Sequence, residues 1–153
     1  MSQAIFTYGS LMFAPVWKRV VQARYVSARA EVHGYARHAI QGVSYPAAIA
    51  CAPASIQGTV YWPDARQAQD PALLVADIAA LDRFEDRDYE RRTVSLRLLE
   101  PLAHWEAGSQ IEANMYVFLR LERVLPEAWD PEWFATQGLP EFMRSYVARR
   151  GPL

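Results

Sequence analysis

Glu85 stands one step beyond a stripe of apolar residues. Leu74, Ile78 and Leu81 recur at the spacing of one helix face, and the next position on that face is this carboxylate. Burial disfavours the charged form of a carboxyl group and raises its pKa, and a glutamate tuned that way can take up and return a proton near neutral pH. Two readings fit the spacing. If the helix reaches residue 85, a carboxylate closes an apolar face. If it stops at Phe84, the face turns away and Glu85 joins Asp82, Asp86 and Asp88 in solvent. A second constellation is Tyr8-Gly9-Ser10-Leu11, directly after an apolar, aromatic segment. A glycine at a turn lets the backbone approach a ligand, and successive N–H groups there can hold a carboxylate or an oxyanion. An ordinary strand-to-loop turn would carry the same residues. No Gly-x-Ser-x-Gly surrounds Ser10, so it is not a nucleophile elbow.

Other chemistries find less support. His33 and His38 are five positions apart, a spacing that neither helix nor strand brings onto one face, and His104 is distant in sequence. There is no Cys-x-x-Cys and no His-Glu-x-x-His, so no metal site is expected. The single cysteine, Cys51, excludes a disulfide within the chain; a buried structural thiol in a reducing compartment is the simpler expectation. A net charge of -1 with scattered arginines argues against a nucleic-acid partner. The doublet Arg149-Arg150 fits a basic helix end. The start Met1-Ser2-Gln3 has no basic stretch, and no apolar run approaches the roughly 18 residues of a membrane span. A cytoplasmic protein without a membrane partner is expected.

These groups need elements to position them. At 153 residues and 52% hydrophobic, the chain suits one domain, residues 1–153, with a sizeable core. A first strand is expected from Ala4 to Tyr8, then a short helix from Pro15 to about Gln22. Tyr25 to Ile40 reads as an extended strand or hairpin, interrupted at Gly34. Ala47 to Ala52 and Ser55 to Trp62 read as two further strands. Asp70-Pro71 opens the clearest helix, with Asp at the N-cap and Pro in the first turn. Val94, Leu96 and Leu98 alternate with polar neighbours; Ile111, Ala113, Met115, Val117 and Leu119 form a similar face. Asp130-Pro131 starts a tail of two short helical pieces broken near Gly138-Leu139-Pro140. Trp133, Phe134, Phe142, Tyr146 and Val147 supply its apolar mass, and Gly151 its C-cap. The sum is α+β: a small antiparallel β-barrel-like sheet with peripheral helices.

Taken in order, six short blocks resemble the γ-glutamylcyclotransferase and γ-glutamylamine cyclotransferase superfamily, with its plant avirulence-induced-gene-like branch. They are Phe6-Thr7-Tyr8-Gly9-Ser10-Leu11-Met12; Gly34-Tyr35-Ala36-Arg37 with Gly42-Val43-Ser44-Tyr45-Pro46-Ala47; Gln57-Gly58-Thr59-Val60-Tyr61; Leu81-Asp82-Arg83-Phe84-Glu85 with Tyr89-Glu90-Arg91; Ala113-Asn114-Met115-Tyr116-Val117; and the tail from Trp133 to Phe142. The resemblance implies a barrel with outside helices, no cofactor, and a pocket at one barrel end. It implies a small-molecule γ-glutamyl substrate from which 5-oxoproline is released. The family's acid/base falls on Glu85 and its anchoring turn on Tyr8, Gly9, Ser10 and Leu11; Tyr8, Tyr89 and Tyr116 become candidate pocket residues. Many relatives carry Gly after the glutamate where this chain has Asp86, a carboxylate that could tune Glu85 or alter the rim. Leu11 aligns the chain with the amine-type and plant-type branch without naming the amine.

Three other classes compete. A non-catalytic module would keep the pocket to sense a γ-glutamyl metabolite, but an intact Glu85 argues against it. A partner-binding protein would dock through its aromatic tail. An amide hydrolase would use water in place of the internal amine, releasing free glutamate instead of 5-oxoproline.

Overall fold

The computed structural model describes residues 3–66 and 69–147. The Arg149-Arg150 doublet and the Gly151 cap lie outside them, as do the side chains of Tyr146 and Val147. Six strands form one sheet: β1 (Ile5–Thr7), β2 (Tyr25–Ile40), β3 (Pro46–Pro63), β4 (Tyr89–Leu98), β5 (Gln110–Phe118) and β6 (Val124–Ala128). Their order is β3-β1-β5-β4-β2-β6, and β2 also pairs with β3. Five strands therefore close on themselves, and β6 extends β2 outside the ring. The expected barrel-like sheet with peripheral helices forms. One pairing departs from antiparallel: β1 lies parallel to β5, Ile5 opposite Asn114, so the barrel is mixed.

Closure explains the burial pattern. Ile111, Ala113, Met115 and Val117 of β5 pack inside the barrel with Phe6, Tyr8 and Leu96. Tyr116, on the opposite face, packs outside beneath the helices with Ile5, Tyr61, Leu81 and Phe134. Both faces of β5 are covered, so its sequence is not a clean alternation. Leu119 lies past the strand end and is exposed, because the pairing stops at Phe118. The segments 47–52 and 55–62 belong to one long strand, β3, paired with β2 along almost its whole length. Gly34, at φ +89, takes up a register shift between His33 and Tyr35.

Helix α1 (Ala14–Val20) follows the first loop, and α2 (Pro71–Glu85) crosses the outside of the barrel. Asp70 caps α2 by accepting from the Ala72 N–H at 2.9 Å, and Pro71 opens it. Leu81 is fully buried, whereas Leu74 and Ile78 are half-buried. The same face carries Asp77, only 1% exposed. Its carboxylate accepts from the N–H groups of Gln22 and Ala23 and from the Tyr25 hydroxyl. A buried acid satisfied this way ties α2 to the start of β2. The tail corrects the expectation of two broken pieces. Backbone angles stay helical through Gly138 (φ -81, ψ -37) and Leu139 (φ -60, ψ -46). The wide π turns Phe134–Gly138 and Met143–Val147 alternate with α3 (Pro131–Trp133) and α4 (Leu139–Phe142). Pro140 has no N–H to give and would clash with the carbonyl one ordinary turn earlier; the wider turn absorbs both problems.

Barrel closure depends on one glycine. A Cβ built on Gly58 would stand 2.1 Å from the backbone oxygen of Thr7 and 2.9 Å from the Phe6 ring. Gly58→Ala should therefore part β1 from β3, costing about 3 kcal/mol, the upper end of ordinary overpacking. Chemical denaturation reads this directly, and an alanine variant as stable as the parent would show that the strands tolerate the separation.

Candidate active site

Beside the end of β1 a cleft opens between the first loop, the end of α2 and the tail helix. All seven residues expected at the site, Glu85, Tyr8, Gly9, Ser10, Leu11, Tyr89 and Tyr116, line it. Pro46, Tyr45, Phe84 and Phe142 join them in its walls, with Phe6 and Thr7 of β1. Glu85 is the final residue of α2 and is half-buried, so the helix does run through it. Among the described residues lining the cleft it is the single carboxylic acid, and no His, Lys, Arg or Cys accompanies it. His33 pairs with Glu31 at 3.1 Å, His104 packs on Trp105, and neither lines the cleft, nor does His38. Cys51 is half-buried in β3, not fully buried as expected, because it lies in the 51–54 stretch that loops out of pairing with β2 where the register shifts. No cluster of three or more metal-ligating side chains occurs among the described residues.

Helix α2 is fastened one turn before Glu85. Asp82 accepts the Tyr116 hydroxyl at 2.6 Å and pairs with the Arg91 guanidinium at 3.0 Å. Arg91 and Tyr116 are direct partners across β4 and β5, so neighbouring strands grip the helix through one carboxylate. Sequence reasoning gave Asp82 no such role; its position three residues before Glu85 was the available signal.

The tyrosines contribute structure as well as surface. The Tyr8 hydroxyl donates to the Tyr116 carbonyl at 2.5 Å inside the barrel, and Tyr89 donates to the Pro46 carbonyl at 2.8 Å. Burial, reinforced by the nearby Glu85 charge, pushes the Tyr8 phenol well above its ordinary pKa. Tyr116 is likewise raised, first by burial and then by Asp82, with Glu85 adding to it. Both remain neutral donors at any ordinary pH. The Glu85 charge therefore acts on two phenols that cannot take its place as proton carriers.

The loop is held from behind. Arg37, half-buried, donates to the Tyr8 carbonyl at 2.9 Å. The Gly9 carbonyl accepts from Met12 N–H, and the Ser10 carbonyl from Phe13 N–H. The Leu11 carbonyl accepts from the Tyr61 hydroxyl at 3.0 Å; that ring stacks on Trp17 with centroids 3.7 Å apart. Burial lifts the Tyr61 phenol to about 12, so this donor too persists. In a trans peptide plane the N–H points opposite the preceding C=O. In each of these peptide planes the N–H of Gly9, Ser10 or Leu11 is therefore directed away from the carbonyl that is bonded. Sequence reasoning assigned Arg37 to a motif but gave it no function.

Two backbone details revise earlier expectations. Gly9 has φ -134, so it needs no left-handed conformation. A Cβ there would meet the Pro46 ring at 2.7 Å, so a side chain would strike the cleft wall before any ligand. Asp86, by contrast, has φ 68 and ψ -169, a region that essentially only glycine occupies at no cost. Its side chain is exposed and accepts from the Arg87 N–H at 2.8 Å.

The sequence model for the family described as gamma-glutamyl cyclotransferase, AIG2-like, matches residues 5–133, and the chain belongs to that family. It is similar to AIG2-like protein D of Arabidopsis thaliana, 24% identical over 144 residues that cover 94% of this chain and 81% of the relative. Its fold is that of an Arabidopsis thaliana protein solved in solution (TM-score 0.60, 21% identity, 96% of this chain and 81% of that one). A structure described as a gamma-glutamyl cyclotransferase shares it too (TM-score 0.59, 15% identity, 95% and 85% covered).

Two variants test this geometry. Gly9→Ala should lower thermal stability and substrate affinity together, and Pro46→Ala in the same chain should restore much of both by removing the ring it strikes; a lone Gly9→Ala variant that behaves as the parent would refute the contact. Asp86→Gly should raise stability by about 1 kcal/mol, the relieved strain being partly offset by the lost side-chain bond to Arg87. A lower unfolding midpoint in that variant would mean the Asp86 side chain matters more than its backbone.

Proposed function

We propose that the protein releases 5-oxoproline from a γ-glutamyl amine or peptide, with Glu85 as general acid/base. The observation that carries this is Glu85 itself, the one carboxylic acid lining the cleft among the described residues. Family membership supports the reaction class.

The substrate supplies its own nucleophile. Its α-amine attacks the γ-carbonyl, a C–N bond closes a five-membered lactam, and the original amide C–N bond breaks. Holding both reacting groups in one molecule removes most of the entropic cost of their encounter. The α-ammonium gives up two protons in all, and the departing nitrogen gains two as it leaves as an ammonium. Glu85 is placed to take a proton from the first nitrogen and pass it to the second. The N–H groups of Gly9, Ser10 and Leu11 face away from their bonded carbonyls and suit either the substrate carboxylate or the oxyanion of the tetrahedral intermediate. Tyr8, Tyr89 and Tyr116 shape the walls, their hydroxyls already engaged with Tyr116, Pro46 and Asp82. Phe84 and Phe142 exclude water from the reacting carbon.

Glu85→Gln keeps the shape and removes the proton carrier. It is expected to lower turnover of a γ-glutamyl amide by about 10²–10⁴-fold while leaving thermal stability and substrate affinity near the parent's. Release is read as 5-oxoproline by chromatography. Turnover within a few-fold of the parent would exclude Glu85 as the proton carrier, and free glutamate as product would mean that water attacks instead.

A further inference from the structure

A second depression adjoins the cleft. It is an open groove of about 1510 Å³ between the β2–β3 turn, β6 and the tail helix. Tyr45 and Phe142 line both spaces, their rings 6.3 Å apart and edge to face. The floor and sides are apolar: Ile40, Val43, Leu125, Trp129 and Trp133. Trp129 is buried, its indole N–H donating to the Ser44 carbonyl at 2.6 Å, whereas Trp133 is 46% exposed over the groove. A tryptophan face left open beside a reaction cleft is surface available to a ligand.

The charges are equally informative. Among the described residues lining the groove there is no Lys, Arg or His, and the two acidic residues are Asp130 and Glu141. Glu141 pairs with Arg144 at 2.8 Å at the solvent edge. Asp130 accepts from the Glu132 N–H, and its charge acts on Arg37. Arg37 stacks 5.5 Å from the Trp129 ring but does not line the groove, and its Nη1 is engaged by the Tyr8 and Gln57 carbonyls. An anionic group entering here would lose water and meet no cation among the described lining residues, which is costly. An apolar group would lose only unfavourable hydration.

We propose that this groove receives the leaving half of the substrate, and that this half is an apolar alkyl or aryl amine without a carboxylate. The proposal rests on the cyclotransferase reading above. The γ-glutamyl half occupies the cleft beside Glu85 and the first loop. Tyr45 and Phe142 pack on each other as the wall between the two spaces, so the amide nitrogen lies at the rim of that pair and its substituent crosses it to run over Trp129 and Trp133. Selectivity arises from the groove's apolar lining and from the absence, among the described lining residues, of a cation for an amino acid's carboxylate. Peptide-like leaving groups are thereby disfavoured.

Three compounds decide it: the γ-glutamyl methylamide, too short to leave the cleft; the γ-glutamyl phenethylamide, whose ring reaches the groove; and γ-glutamylphenylalanine, the same ring with a carboxylate added. In 5-oxoproline release, kcat/KM for the phenethylamide should exceed that of each of the others by about tenfold, the worth of burying an aromatic ring. Trp133→Ala should bring the phenethylamide-to-methylamide ratio towards one. Leu125→Lys, which supplies the missing cation, should narrow the gap to γ-glutamylphenylalanine. Equal or better turnover of γ-glutamylphenylalanine by the parent overturns the proposal, as does a ratio untouched by Trp133→Ala. Turnover of the methylamide without preference for the ring sinks the groove and leaves the reaction standing. If no compound yields 5-oxoproline, the reaction is wrong, and calorimetric affinities on Glu85→Gln protein decide the groove: tighter binding of the phenethylamide supports it, and equal binding of all three refutes it.

Discussion

The structure depends on how closely three residues of β1 can lie beside β3. Ile5, Phe6 and Thr7 face Tyr61, Val60 and Thr59, and the Thr7 carbonyl comes so near residue 58 that only glycine fits. That contact lets so short a strand bridge β3 and β5 and close the ring. It also sets the depth of the first loop, which leaves β1 directly into the cleft. Fixing the strand fixes the loop, and fixing the loop fixes where a ligand can sit relative to Glu85.

The second half of the site comes from outside the barrel. Helix α2 brings Glu85 to the cleft only because carboxylates earlier in the helix hold it in place. Asp77 is satisfied by two backbone N–H groups and a hydroxyl, and Asp82 by a phenol and a guanidinium. The helix ends abruptly at Asp86, in a backbone conformation costly for any residue with a side chain. A site held at several points can carry such local strain without loosening, which is where strained residues tend to persist.

Much of this was legible in the sequence, and what was not has a common cause. Glu85 and the Tyr8 to Leu11 loop stand out as candidates because a carboxylate on an apolar stripe and a glycine after a strand are local patterns, but each pattern also fits an ordinary reading, and the family resemblance chose between them. The cap at Asp70, the bulge at Gly34 and the alternation of Val94, Leu96 and Leu98 are local too. The parallel pairing of β1 with β5 is not, since it links Ile5 to Asn114. Asp77 reads as one more surface acid until its partners near residue 22 are known. Gly9 invites an argument about ligand approach, and the structure answers with Pro46, a neighbour no spacing rule would supply. The tail reads as broken at Pro140 because sequence rules assume an ordinary α turn, and a π turn accommodates the proline instead.

Strand β1 is made before its partners and completed late. Its partners are residues 59–61 and Asn114, so both of its edges wait for chain that has not yet been synthesised. Non-local pairing of this kind is slow because loop closure must precede any reward. During synthesis the N-terminal segment is an unpaired edge of the sort that recruits foreign strands. The segment that leads into the cleft loop is thus the one most exposed to misassembly on the ribosome, and the yield of folded protein becomes a matter of elongation and chaperone cover as much as of native contacts.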